Sequence, residues 1–205
     1  MSAEASIPRA LTVDVAGLKT YAFNRRSVLF WGIVCLCMIE GTALMLAFVT
    51  YFYVRPNFNV WPPSHRLALV PGPLVAIGLL ATLYPMWRTA AAARTLDLVT
   101  TRRWQLLSTI GGALVLALRW WEIDALPFSW SDNAYASTVW FATGLHTADF
   151  VAEMGEMFVL TALLYTGPLE EKHFEDIEVN AVFWAFLVFM WLPFAGVFYV
   201  DGGLR

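Results

Sequence analysis

The stretch GLHTADFVAEMGEM, residues 144–157, lies between two long apolar runs, yet it carries His146, Asp149, Glu153 and Glu156. In a soluble helix four titratable side chains are ordinary. In a bilayer each one costs roughly 2.5–3.5 kcal/mol near the membrane centre. Wound at about 100° per residue, the four fall within an arc of roughly 80°, one stripe on one helix. Phe150, Val151, Met154 and Phe158 lie off the stripe and can meet lipid or other helices. Which environment applies is decided by the rest of the chain.

Of the 205 residues, 59% are hydrophobic and 14% charged, whereas a soluble domain carries about a quarter charged residues. A bilayer span needs about 20 mainly apolar residues. Windows of that kind fall at about 28–54, 68–95, 104–122, 137–165 and 178–200. The predicted fold is therefore all-α: a five-transmembrane-helix bundle over 28–205, with no soluble catalytic domain. Residues 1–27 read as a polar N-terminal arm, partly helical near Val13 to Asn24. They have no apolar core followed by a small-residue cleavage site, so no signal peptide is predicted.

The distribution of charge is more telling than its net value of −3. Arg9, Lys19, Arg25 and Arg26 precede the first span, and Arg88, Arg94, Arg102 and Arg103 fill the second connection. The connection from Ile123 to Ala136 has Asp124 and Asp132 and no Lys or Arg. Basic residues mark the cytoplasmic side, which predicts a cytoplasmic N-terminus and an outside C-terminus. The bases are spread along loops rather than clustered, which argues against nucleic-acid binding.

Local signals refine this plan. Pro71, Pro73 and Pro85 predict kinks near both ends of the second span, which continues as helix through RTAAAARTLD. Gly111 and Gly112 permit close helix contact in the third span. LPFSWSDNAY has the composition of a compact turn, and the acidic GPLEEKHFEDIE reads as a solvated connector. Cys35 and Cys37 point to nearly opposite faces of the first span, which suits two small buried hydrophobes better than a disulfide or metal pair.

On a membrane span, the acid stripe must face partners or water. A proton or ion path is one reading, with some of the acids protonated. Metal ligation is another, but di-metal sites in bundles draw a Glu-x-x-His pair from each of two helices, and His146 is the only histidine in a span. The third reading is a polar seam of interhelical hydrogen bonds, with Arg119, Glu122 or Glu40 as partners. His65 and His173 fall in loops, so bis-histidine haem ligation inside the membrane is not available to this chain. Glu40 reads as a group paired with another helix, and Glu122 as one close to an interface. Arg55 and Arg66 offer planar forks that could hold a lipid phosphate.

Several features, in order along the chain, resemble the subunit III family of haem–copper terminal oxidases, the cytochrome c oxidase type. Ile39-Glu40 before an aromatic-rich run is similar to that family's Ser-Glu helix, with Ile39 in place of the serine. Trp61-Pro62-Pro63 matches its Trp-Pro-Pro loop. Gly112 to Glu122 resembles a Gly-rich helix ending in Gln-x-x-Glu, with Arg119 at the glutamine. PFSWSDNAYAS followed by Ala142 to His146 resembles its Ser-x-x-Tyr-Gly-Ser and Thr-Gly-Phe-His run, and Phe183-Trp184 with Trp191 resembles the final helix. There are departures. A second family histidine is Asp149 here, the next glycine is Glu153, and Trp-His-Phe-Val-Asp has become Trp184-Ala185-Phe186-Leu187-Val188. Polar groups have left the fifth span and entered the fourth.

The resemblance implies a non-catalytic subunit of a respiratory oxidase, in the five-span form that lacks the first two of seven. It would bind no redox centre, with haem and copper in partner subunits. It would pack beside the catalytic subunit I, hold phospholipid, and sustain proton uptake in aerobic electron transport. Glu40, Glu122 and His146 carry over as polar bundle residues; Asp149, Glu153 and Glu156 do not. The expected location is a bacterial cytoplasmic (inner) membrane. The competing readings are an accessory subunit of a nitric oxide reductase-like complex, and a proton-coupled transporter component conducting along the His146/Asp149/Glu153/Glu156 stripe.

Overall fold

A computed structural model describes residues 27–63, 65–167 and 171–201. The basic arm and its expected helix near Val13 to Asn24 lie outside the described residues. Five helices follow in order: α1 (Val28–Val54), α2 (Pro71–Arg94), α3 (Leu98–Asp124), α4 (Ala134–Thr166) and α5 (Glu171–Ala195). A 3₁₀ turn (Arg55–Asn57) closes α1, and a π turn (Gly196–Asp201) extends α5. Among the described residues there is no strand. Four stretches of the described residues, those built on α1, α2, α3 and α5, are long and apolar enough to cross a membrane. With 33 residues α4 is the longest of these helices, about 50 Å at 1.5 Å per residue, and it carries Asp149, Glu153 and Glu156 along its middle.

Local chemistry explains where the helices begin. Ser27, Asp97 and Asn133 each accept a hydrogen bond from the backbone N–H three residues on, at 3.1, 3.2 and 3.0 Å, the N-cap arrangement that satisfies an orphan donor. Asp97 therefore starts α3 six residues ahead of the apolar window, after a turn in which Leu96 takes φ 55°. Hydrogen bonds from Thr100, side chain and backbone, hold the Asp97 carboxyl below the usual carboxylate range. Pro71 and Pro73 do not kink the second span near its start. They lie in the first turn of α2, where a missing N–H costs nothing, and only Pro85 sits inside the helix.

The acidic connector is also different from its reading. From Glu171 onward it is the first part of α5. Two apolar residues are hidden among its charges: Ile177 is buried with Ala93, Leu160 and Leu164, and Phe174 packs beside them. Glu178 pairs with Arg94 at 2.9 Å, linking α5 to the end of α2. The turn before α4 is as compact as expected, with Ser129 N–H donating to the Asp132 carboxylate at 2.9 Å.

Helix α2 makes its broadest contacts with α3 and α5, and α1 touches α4 and α5. Large aromatic residues fill the centre, including Trp184, Trp191, Phe150, Tyr51 and Tyr135, all almost fully buried. Helix α1 is the exception. Its buried residues are Leu44, Ala47, Tyr51 and Val54, all in its second half. The half running from Val28 to Ala43 has no buried side chain.

Candidate functional site: a divided polar interior

The α4 stripe does not behave as a unit. Taking His146 as zero, 100° steps put Glu153 about 20° away, Asp149 about 60° and Glu156 about 80° on the same side. Burial follows that angle. His146 and Glu153 are 0% and 3% exposed, Asp149 is half-buried and Glu156 is exposed. Glu156 lies outside the contacts made within this chain, because an 80° arc is wider than the contact α4 makes with its neighbours.

His146 belongs to a sealed cluster at the end of the bundle that holds the α3–α4 connection. Arg119 on α3 is 0% exposed. Its Nη1 donates to Glu122 Oε2 at 2.6 Å and its Nη2 to His146 Nδ1 at 3.2 Å. Because guanidinium only donates, Nδ1 must accept, so the ring is neutral with its proton on Nε2. That N–H reaches the Leu187 carbonyl at 3.0 Å. The guanidinium lies 3.7 Å over the Trp191 ring, a geometry worth more when desolvated. Tyr199, carried by the π turn, donates to the other Glu122 oxygen. Its ring occupies the space beside Gly72 that a Cβ would fill. Three helices, α3, α4 and α5, are thereby joined through one charge pair. Both imidazole nitrogens are committed, and among the described residues no group of three His, Cys, Asp or Glu side chains could hold a metal ion.

The buried side of α3 is polar along most of its length: Thr101, Gln105, Ser108 and Thr109 toward its start, Arg119 and Glu122 toward its end. The two halves are separated. Gly112 and Val115 lie between them, and a Cβ on Gly112 would come within 2.5 Å of Met154 Sδ and 2.9 Å of Trp184. Phe150 packs on Trp184 with centroids 5.5 Å apart, and Trp184 is anchored by its Nε1–H to Thr82 Oγ1 at 2.9 Å. From Thr109 to Arg119 is about 15 Å of helix, across which the interior of α3 is apolar.

Glu153 sits on the other side of this plug. Its Oε1 accepts from Asn180 Nδ2 of α5 at 2.8 Å, both groups being buried. Asp149 lies at the edge between α1 and α4, facing the Glu40 carboxylate; its Oδ2 is buried and has no hydrogen-bond partner among the described residues. Glu156 in turn faces Glu153 and Asp176. Acids therefore succeed one another along the edge of α4, against the unpacked half of α1.

The remaining sequence candidates are distributed at the surface. Arg55 pairs with Asp201 at 2.8 Å. That carboxylate also accepts from Tyr51 at 3.1 Å, beside Trp61, whose Nε1–H donates to Tyr51 at 2.9 Å. Arg55 is thereby tied into the contact between α1 and the π turn. Arg66 and His65 are exposed, and the Trp61–Pro62 peptide is cis. Cys35 and Cys37 are free thiols, exposed and half-buried respectively, rather than core residues. The sequence reading missed Asn180, Tyr199 and the polar face of α3. Asn180 left a signal, a single amide in the apolar run VNAVFW one turn before Phe183-Trp184. Tyr199 left none, since its role depends on the space over Gly72.

A bundle of long apolar helices whose polar residues mainly hold the helices together defines an integral membrane protein. The family model for cytochrome c oxidase subunit III matches residues 15–202, and the chain belongs to that family. Among relatives, it is 27% identical over 198 residues to cytochrome c oxidase subunit 3 of Drosophila yakuba, covering 91% of this chain and 74% of that protein. The subunit 3 proteins of Pylaiella littoralis and Triticum aestivum are 26% and 29% identical over 77% and 71% of this chain. The chain spans 61% and 56% of the lengths of these two relatives.

Proposed function

We propose that the chain is the non-catalytic subunit III-type component of a respiratory haem–copper terminal oxidase of the cytochrome c oxidase type. In this reading five helices span the membrane, N-terminus cytoplasmic and C-terminus outside, and haem and copper reside in partner subunits. The chain packs against the catalytic subunit I, supports assembly and phospholipid binding, and sustains proton uptake. The membrane proposed is the bacterial cytoplasmic (inner) membrane, and recovery of the chain from an organellar inner membrane on fractionation would overturn that location.

The observation that supports this reading best is the open edge of α4. Glu156 is exposed and Asp149 half-buried on a helix otherwise built for hydrocarbon. Leaving both against lipid would cost several kcal/mol, a large fraction of a typical folding free energy. A neighbouring polypeptide with polar groups at that depth removes the cost. A transporter working alone has the apolar plug at Gly112, Met154 and Trp184 against it. Purification of the tagged chain in a mild detergent tests the proposal: haem-bearing partners should accompany it in fixed ratio, with their absorption spectrum. Recovery of the chain alone, still able to move protons in liposomes, would overturn it.

A further inference from the structure

Helices α2 and α4 each pack against both α3 and α5, so α3 and α5 stand at opposite corners and face one another across the middle of the bundle. The two run in the same direction, since a Cβ on Gly112 would meet Trp184 at 2.9 Å and Arg119 lies over Trp191. At the level of Gly112 the middle is filled by the Trp184 indole. The residues at the next turn toward the helix starts are short, Ser108 on α3 and Asn180 on α5. Gln105 follows, two turns before Gly112 and about 20° from it around the helix. That register places the amides of Gln105 and Asn180 within about one turn, roughly 5 Å, in depth.

Both side chains are buried, Gln105 at 0% and Asn180 at 1% exposed. Asn180 Nδ2 donates to Glu153 at 2.8 Å. Among the described residues its Oδ1 has no hydrogen-bond partner, and neither Nε2 nor Oε1 of Gln105 has one. The nearby hydroxyls of Thr89 and Ser108 donate to the Pro85 and Trp104 carbonyls, each at 2.9 Å. Beside and beyond Gln105 the interior is closed by the buried Ala93, Leu160, Leu164 and Ile177. A primary amide has two N–H donors and an acceptor oxygen, and leaving them unmet in a core is strongly unfavourable. Donors and acceptors enclosed in this way are met in folded proteins by bound water.

We infer that the interior beneath Trp184 binds ordered water, one molecule of which accepts from Gln105 Nε2 and donates to Asn180 Oδ1. This water completes a link from α3 through Asn180 to Glu153 on α4. It joins α3, α4 and α5 on one side of the apolar plug, as the Arg119 cluster joins them on the other. The inference concerns the interior of this chain and does not depend on which complex contains it. The test is the structure of the full chain with its copurifying subunits, at a resolution that shows ordered water, for the wild type and Gln105→Met, with thermal unfolding of both. The wild type should show a density peak within hydrogen-bond distance of both amides. Gln105→Met keeps the length of the side chain but cannot bond. It should lose the peak and lower the unfolding midpoint by about 3 °C. Thr109→Val is the control and should keep the peak, because that hydroxyl faces Thr161. A dry amide would give the opposite sign: Gln105→Met would remove an unpaired polar group and raise the midpoint. That rise, no peak between the amides in the wild type, or a direct bond from Gln105 to Asn180 would overturn the inference. The wild-type map decides by itself if Gln105→Met fails to assemble. A chain purified without haem-bearing subunits but with the peak in place would defeat the oxidase reading and leave this one standing.

Discussion

His146 and Glu156 lie ten residues apart on one helix, and their surroundings are opposite. Around His146 every polar partner is supplied by this chain: Arg119, Glu122, the Leu187 carbonyl and, through Glu122, Tyr199. Among the described residues, the charged groups that face Glu156 are the carboxyls of Glu153 and Asp176. A hydrogen-bonded network within the chain stabilises a bundle, whereas carboxyls facing one another at membrane depth contribute nothing until something else covers them. The difference between the two regions is the difference between folding and assembly.

The comparison is broken most severely at its closed end. Arg119→Leu leaves Glu122 buried without its counter-charge, and loss of one partner of a buried pair costs about 3–5 kcal/mol. Thermal unfolding of the solubilised chain should register a large loss or failure to fold. The double change with Glu122→Gln should recover much of it, and absence of recovery would mean that the two residues do not act as a pair. Glu153→Leu comes next. It strips the buried Asn180 amide of its acceptor, for about 1–3 kcal/mol; Glu153→Gln keeps the bond and should be close to neutral. Equal effects of Leu and Gln would remove the Asn180 contact from the account.

At the open end the ordering reverses. Glu156→Leu should change the stability of the isolated chain by no more than about 0.5 kcal/mol, yet reduce recovery of partner subunits in a pull-down. Full recovery would mean that the acid is not part of an interface. Smallest of all is Asp97→Ala, which removes the α3 cap. The carboxyl is held low in the fold, so its contribution is present at neutral pH and fades as pH falls through that lowered range. A pH titration of unfolding should show wild type and variant converging in acid; divergence there would contradict the cap.

The helices were readable because apolar runs of that length have few other solutions in water or lipid. Their starts were less so: Asp97 and the hidden pair Phe174 and Ile177 extended α3 and α5 into segments whose charge suggested loop. For the stripe, the one-face geometry was plain from spacing, but the width of the buried contact was not. That width depends on α1 and α5, which sequence periodicity of α4 does not contain. Arg119 was visible as a departure from the family's glutamine, and its neutraliser Glu122 stands one turn away. The Trp191 face beneath it and the Tyr199 hydroxyl come from a helix that begins more than fifty residues later, and only the packing of α5 against α3 unites them.

Most direct is a photocrosslinking residue placed at position 156, with the chain expressed in its own membrane and the adducts identified by mass spectrometry. The account predicts capture of a transmembrane segment from a haem-bearing subunit, lost when the crosslinker is moved to Val151, an exposed position about 140° around the same helix. Adducts with lipid or detergent alone at position 156 would contradict it.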